Sequence, residues 1–192
     1  MDLYHPEGAT PLAPDDMLDL VATHIRTLAE LNEWEQTNIL RAEEWAFRRK
    51  RSVLTESFVK ALHRKMFDRT WLWAGAYRKT DTNIGVPWYT IPIAVREACA
   101  DATTWLERAV FELDEVAVRL HHRMVSIHPF PNGNGRHARL LADVLVAQRG
   151  APRFTWGRTS LQVAGKPRRA YLDALRAADA GSFQPLLGFA RS

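Results

Sequence analysis

The segment that most constrains the fold of this chain is residues 128–139, which read HPFPNGNGRHAR. Apolar residues at helical spacing lead into it through Leu120, Met124 and Ile127, and a second apolar helical pattern begins at Leu140. Pro, Asn and Gly between two such patterns are typical of a tight connection. The segment therefore predicts two helices that meet at a glycine-rich loop.

The residue types in this loop indicate an anion-binding site. Glycines let backbone N–H groups converge on an anion, and the N-terminus of the next helix adds its unpaired N–H groups and its dipole. Arg136 and Arg139 are three positions apart, which places both on one side of that helix. The dipole disfavours cations in a first turn, so these arginines make sense if an anion neutralises them. The alternative, a plain helix–turn–helix connection, leaves them unexplained.

His128 lies at the edge of this predicted phosphate cradle. An imidazole can accept a hydroxyl proton near neutral pH, so His128 is the candidate general base. We expect no zinc site, because His121, His128 and His137 lack the grouped spacing of a closed ligand shell.

Most of the remaining chain is helical in pattern, and 192 residues with 46% hydrophobic composition suffice for one domain with a real core. The exception is residues 77–91. Two strand-like runs, YRKT and WYTI, flank the turn-forming DTNIGVP there. We therefore expect an all-α bundle with one small β-hairpin acting as a flap over a ligand. An ordinary connecting loop is the alternative.

Composition argues against several classes of protein. The single cysteine, Cys99, excludes an internal disulfide framework and is typical of a reducing compartment, so we expect a cytoplasmic protein. We see neither a secretion signal nor an apolar run long enough to span a membrane. The net charge is +4, and the basic residues are scattered apart from the run RRKR at residues 48–51, which we assign to the C-terminal end of a helix, so we expect no direct nucleic-acid binding. Residues 1–15 read as an extended arm, which is compatible with a homodimer.

HPFPNGNGRHAR resembles the signature of the Fic/Doc family, His-x-Phe-x-Asp/Glu-Gly-Asn-Gly-Arg-x-x-Arg. WAGAYRKTDTNIGVPWYTIP is similar to the family's strand and flap, and RRAYLDALRAADAGSFQPLLGFA to its C-terminal ending. ELNEWEQTNILRAEEWAF is similar to a subgroup called mobile mystery protein B, Fic proteins of bacterial mobile regions found beside a helix-turn-helix partner. The resemblance implies a Fic domain at residues 55–192, and an N-terminal arm and helices at 1–54 packed with it as one unit. It also implies a helix-turn-helix partner or antitoxin.

The resemblance implies an activity as well. Family members move AMP from ATP to a hydroxyl of a target protein and release pyrophosphate. On this chain His128 would take the proton of a target Ser, Thr or Tyr hydroxyl, and Phe130 would anchor the loop in the core. The implied phosphate ligands are Gly133, Asn134, Gly135, Arg136 and Arg139. The flap would dock the target segment by strand addition, through Thr82, Asn83, Ile84, Gly85, Trp88, Tyr89 and Thr90.

The chain departs from the family pattern at Asn132. Relatives have an Asp or Glu there that holds the Mg²⁺ bridging the α- and β-phosphates. Asn offers a carbonyl oxygen but no charge, so we expect weaker binding of Mg²⁺ or Mn²⁺. Three alternatives stay open: AMP transfer with a differently held metal, transfer of another phosphate-linked group, or a binding module that has lost its chemistry. Gly135 disfavours the phosphotransferase (Doc) branch, which has Lys at that position.

Many relatives also carry an inhibitory helix whose Glu pairs with the second motif arginine, here Arg139. The stretch TLAELNE at residues 27–33 matches that helix imperfectly and places Glu30, or else Glu33, at the inhibitory position. The solvated face of an ordinary helix is the alternative.

Overall fold

The computed structural model describes residues 18–21, 25, 27–158 and 165–192, so the arm expected at residues 1–15 lies outside the described residues. Helices dominate the described ranges: α1 (Leu28–Phe47), α2 (Glu56–Phe67), α3 (Ile91–Glu107), α4 (Leu113–Ile127), α5 (Asn134–Ala147), α6 (Lys166–Asp179) and α7 (Gln184–Arg191). Trp88–Thr90 forms a short 3₁₀ turn that leads into α3.

The prediction of a β-hairpin at residues 77–91 is wrong. The segment is an irregular loop that ends in the 3₁₀ turn, and no strand forms in it. Its backbone hydrogen bonds run to the α4–α5 connection. The Arg78 N–H donates to the Pro129 carbonyl at 3.0 Å, and the Val86 N–H donates to the Ile127 carbonyl at 3.3 Å. The donors that a hairpin would pair across its own strands are therefore used to fasten the flap to the glycine-rich loop.

A capping box begins α1. The Thr27 hydroxyl accepts the Glu30 N–H at 3.2 Å, and the Glu30 carboxylate accepts the Thr27 N–H at 2.9 Å. One stripe of the helix is buried, and α1 packs chiefly on α2. The buried stripe consists of Leu31, Glu35, Asn38, Ile39, Ala42 and Ala46. Of these six residues, Glu35 alone carries a carboxylate.

Helices α4 and α5 form the centre of the bundle. α4 packs against α3 on one side and α5 on the other, and α5 also touches α1 and α2. From Leu140 to Val146 every side chain of α5 is buried. The α4–α5 loop thus lies at one end of the core, with the N-terminal helices beside it.

Helices α6 and α7 pack against each other, and α7 also packs on α4. Arg191, in α7, forms an ion pair with Asp114 in the first turn of α4. In the described part of the chain, no helix has the length and apolar character that crossing a bilayer requires.

Candidate active site

The α4–α5 loop is fixed by its backbone and by one asparagine. His128 ends α4 in the left-handed region (φ 52°, ψ 60°), and Gly133 precedes α5 at φ 77°. A Cβ at residue 133 would lie 2.5 Å from the Phe67 ring, so only glycine fits there. The Asn134 side chain accepts the Phe130 N–H at 2.9 Å and donates to the Phe130 carbonyl at 2.8 Å. Phe130 itself is fully buried, as expected of an anchor.

The first turn of α5 points unpaired donors at the loop. No described side chain caps this helix. The N–H groups of Asn134, Gly135 and Arg136 therefore have no acceptor within the helix. Such an end carries partial positive charge and favours an anion. The predicted phosphate ligands Asn134, Gly135 and Arg136 lie in this turn, and their role stays a prediction.

His128 is 7% exposed and its Nδ1 lies 3.4 Å from the Val125 carbonyl. Burial, and secondarily the positive charge of Arg78, lower the pKa of His128 to about 4. The imidazole is therefore neutral at pH 7. With the proton on Nδ1, directed at Val125, Nε2 carries the lone pair that a general base needs.

Arg136 is neutralised from within the protein. Its Nη1 lies 2.5 Å from Oε2 of Glu35, whose side chain is 6% exposed. Oε1 of Glu35 accepts the indole N–H of Trp71 at 2.7 Å. The sequence predicted a negative charge beside Arg136, and in the structure a carboxylate of α1 supplies it.

Arg139 has a different environment. Its guanidinium carbon lies 5.7 Å from the centre of the Tyr171 ring, so the aromatic ring lies beside the cation. The Tyr171 hydroxyl lies 3.1 Å from Nε2 of the buried His121. Among the described residues, no carboxylate lies within ion-pair distance of Arg139. Arg139 is therefore the motif cation whose charge is least compensated inside the protein.

The sequence profile of the Fic/DOC family matches residues 53–146. Residues 53–146 belong to the Fic/DOC family. A protein adenylyltransferase fic-1 of Caenorhabditis briggsae is 29% identical over 119 residues, which cover 60% of this chain and 22% of that protein. A uridine 5'-monophosphate transferase of Xanthomonas campestris pv. campestris is 35% identical over 72 residues, covering 33% of this chain and 13% of that protein. The chain thus spans less than a quarter of the length of either relative.

The fold has a solved counterpart in BepC of Bartonella tribocorum, a VirB-translocated effector whose structure contains AMPPNP. It superposes with a TM-score of 0.67 at 16% identity, covering 98% of this chain and 94% of that one. The all-α Fic-type bundle expected from the sequence is confirmed.

The Fic signature implies a metal ligand at position 132, and the residue present fits that role poorly. Oδ1 of Asn132 accepts the Gly133 N–H at 2.6 Å, and its backbone carbonyl lies 3.1 Å from Nε2 of His63. The Gly75 N–H donates to Nδ1 of His63, so the ring proton lies on Nε2 and points at Asn132. No described group of three or more His, Cys, Asp or Glu side chains could hold a metal. These residues do not fit an Mg²⁺ held by the protein alone.

The predicted inhibitory residues, Glu30 and Glu33, lie in environments that do not include Arg139. The Glu30 carboxylate accepts the Thr27 N–H in the capping box of α1, and Glu33 is exposed. Among the described carboxylates, the one that forms an ion pair with a signature arginine is Glu35, which contacts Arg136. The sequence analysis missed it, although a usable signal was present: Glu35 shares the helical spacing of the apolar residues Leu31 and Ile39.

Two further residues of the site carried no sequence signal. Arg78 and Tyr171 reach the motif from 50 and 32 positions away along the chain. The predicted flap residues lie together, since residues 82–90 form one loop that ends against α3. Gly85 lies directly beside His128, and Trp88 and Tyr89 are exposed.

Proposed function

We propose that this chain is a protein adenylyltransferase, which transfers AMP from ATP to a hydroxyl side chain of a target protein. The observation that carries the proposal is the uncapped start of α5 behind a glycine-rich loop, with the neutral His128 at the loop's other end. An anion site beside a proton acceptor is what transfer from a nucleotide to a hydroxyl requires. The activity named for the nematode relative supports the same reaction.

In the proposed step, Nε2 of His128 accepts the proton of the target hydroxyl. The hydroxyl oxygen forms a bond to the α-phosphorus of ATP, and the bond from that phosphorus to the bridging oxygen breaks. Pyrophosphate leaves with the bonding electron pair. The N–H groups of Asn134, Gly135 and Arg136 stabilise the charge on the phosphates, and Arg139 holds the leaving end. A divalent cation, Mg²⁺ or Mn²⁺, would be held by the phosphates of ATP, because Asn132 offers no charge, and it would neutralise part of the phosphate charge.

The direct test is label transfer. The protein is incubated with lysate, Mg²⁺ or Mn²⁺, and ATP labelled either in the α- or in the γ-phosphate. We expect α-label on protein that is lost in His128→Ala. Gln148→Ala, remote at the far end of α5, is the matched control. Label from the γ-position would instead indicate a phosphotransferase. Absence of both labels, while calorimetry still detects ATP binding, would indicate a binding module.

A second candidate is transfer of another phosphate-linked group. The observation favouring it is the uridine 5'-monophosphate transferase relative, whose 72 matched residues are 35% identical. A parallel assay with α-labelled UTP tests this candidate. Label from UTP that exceeds label from ATP at equal concentration would replace AMP transfer as the proposed activity.

We also propose that the site is self-inhibited, with Glu35 as the acidic residue that competes with the nucleotide and Glu30 as the alternative. The other proposals come from the sequence and from the family resemblance. They are membership of the mobile mystery protein B subgroup, a cytoplasmic bacterial setting, a helix-turn-helix antitoxin partner and a homodimer. Co-purification with the adjacent gene product, and the mass of the purified protein in solution, test the last two.

A further inference from the structure

Arg78 is a buried arginine that connects the flap with the end of α4. Arg78 is 4% exposed, and its guanidinium donates, within the described part of the chain, to backbone carbonyls and to one exposed carboxylate. Nε donates to the His128 carbonyl at 2.7 Å, and Nη1 to the Thr80 carbonyl at 2.8 Å. Nη2 donates to the carbonyls of Val86 and, at 3.4 Å, Ile127. Two of these carbonyls belong to the flap and two to the end of α4.

The end of α4 explains why a cation is stable in this buried place. The last carbonyls of a helix have no intrahelical donor, and the dipole makes that end negative. Arg78 supplies donors and positive charge to the last turn of α4 and to His128 directly after it. The ion pair with Asp81 is long, at 3.6 Å, and that carboxylate is 69% exposed, so it contributes little. Arg78 is therefore held chiefly by the backbone groups that it caps.

Those backbone groups set the direction of the proposed base. His128 is a non-glycine residue with positive φ, a strained conformation that persists only where neighbours enforce it. The side chain of Arg78 holds the carbonyl of His128, and its backbone N–H holds the carbonyl of Pro129 at 3.0 Å. Both peptide groups that follow the His128 Cα are thus fixed by one residue.

The same side chain fastens the flap against the base. A Cβ at Gly85 would lie 2.6 Å from Nη2 of Arg78 and 2.8 Å from the Cβ of His128, so the flap backbone rests on both residues. The Asp81 carboxylate accepts the Trp88 N–H at 2.9 Å, which links the two ends of the flap. The flap and His128 therefore share one anchor.

We propose that Arg78 is a positioning residue that fixes the flap and His128 as one unit, so that a target segment docked on the flap meets the base in a set position. This inference rests on the proposed function for its kinetic consequence. The phosphate cradle is built from the other end of the loop and from α5, so nucleotide binding does not depend on Arg78. The kinetic signature is a lost transfer rate with ATP affinity retained.

The test compares Arg78→Lys, Arg78→Gln and Gly85→Ala with the wild type. Lysine keeps the charge, but its single nitrogen cannot span the flap and the end of α4. Gly85→Ala disturbs the same junction without removing Arg78, and it keeps the inference testable if the Arg78 variants do not fold. Arg96→Gln is the matched control, since Arg96 is an exposed arginine on α3 paired with Glu56.

Two readouts are needed. In hydrogen exchange, we expect residues 79–87 and 127–130 to exchange at least tenfold faster together in the variants, and unchanged in the Arg96 control. In label transfer, we expect the rate at saturating ATP to fall at least 100-fold, in Arg78→Lys as well as in Arg78→Gln, with ATP affinity within threefold of the wild type. A rate within threefold of the wild type would overturn the inference, as would faster exchange in the flap with the loop unchanged.

The two readouts separate the inference from the proposed function. If the wild type transfers no label from any nucleotide, the proposed function fails, while hydrogen exchange still decides whether Arg78 couples the flap to His128. If the wild type transfers label and Arg78→Lys does so equally well, only the positioning role fails.

Discussion

Replacing Glu35 by Gln is expected to strengthen ATP binding while weakening the ligand-free protein. Glutamine keeps an oxygen for the Trp71 indole and removes the charge that neutralises Arg136. If roughly 6 Å is taken as the separation between that carboxylate and a phosphate on the first turn of α5, one unit charge contributes ~3 kcal/mol at an effective dielectric constant of 20. Screening by salt reduces this value, so we expect ATP affinity to rise by about 10- to 100-fold.

The same change leaves Arg136 without its counter-ion in a site where its side chain is 17% exposed. Loss of one partner of a charged hydrogen bond costs ~1–3 kcal/mol, and each kcal/mol lowers Tm by about 2–4 °C in a chain of this size. The ligand-free variant should therefore melt several degrees lower than the wild type. Because bound ATP then supplies the missing negative charge, the rise in Tm on adding ATP should be larger in the variant.

Calorimetry with a non-hydrolysable ATP analogue measures the affinity, and thermal melts with and without that analogue measure the stability. Glu33→Gln, exposed on the same helix, is the matched control and should change neither quantity. Glu30→Gly tests the alternative inhibitory residue in the same experiment. An affinity for Glu35→Gln equal to or below that of the wild type would refute the competition between Glu35 and the nucleotide. Glu35 would then serve only to orient Arg136.

Three further predictions concern the metal, the second arginine and acid stability. Asn132→Asp should lower the Mg²⁺ concentration for half-maximal transfer at least tenfold, and a metal titration equal to that of the wild type would contradict the expectation that Asn132 weakens metal binding. Tyr171→Phe should weaken ATP binding several-fold because the ring beside Arg139 loses the hydroxyl contact to His121 that orients it, whereas Tyr89→Phe on the exposed flap should not. The protein should lose stability as the pH falls from 6.5 towards 4. Burial lowers the folded-state pKa values of four histidines, which are His63, His121, His128 and His137. The unfolded chain therefore binds more protons than the folded chain in that pH range. The raised pKa of Asp143, about 6, opposes this with one proton, so about three net protons give ~4 kcal/mol per pH unit at the steepest. Urea unfolding at pH 7.5 and 5.5 checks the sign, and equal midpoints would contradict it.

The helices and the central loop could be predicted from local sequence because their determinants are local. Apolar spacing defines α4 and α5, and the positive φ at Gly133 follows from a sequence that only a turn accommodates. The flap could not be predicted in the same way. Its strand-like residues are real, but the acceptors that they meet belong to α4 and Pro129, more than 40 positions away. Local propensity does not determine which backbone groups a short extended segment pairs with.

The charges of the site show the same division. The sequence indicated that an anion should neutralise Arg136 but not that Glu35 would supply it, since that pairing spans 101 positions. The left-handed conformation of His128 is a further case. No glycine marks it, and its support from Arg78 is visible only in three dimensions.

The family profile covers residues 53–146, yet the carboxylate that faces its first arginine is at position 35. Two proteins with identical signatures can therefore differ by a full unit of charge at the nucleotide site, through a helix that the signature does not include. Replacement of Glu35 alone would keep every signature residue of this chain and still leave the nucleotide site more positive. For comparisons of nucleotide affinity within the family, the natural unit is the signature together with the helix that covers it.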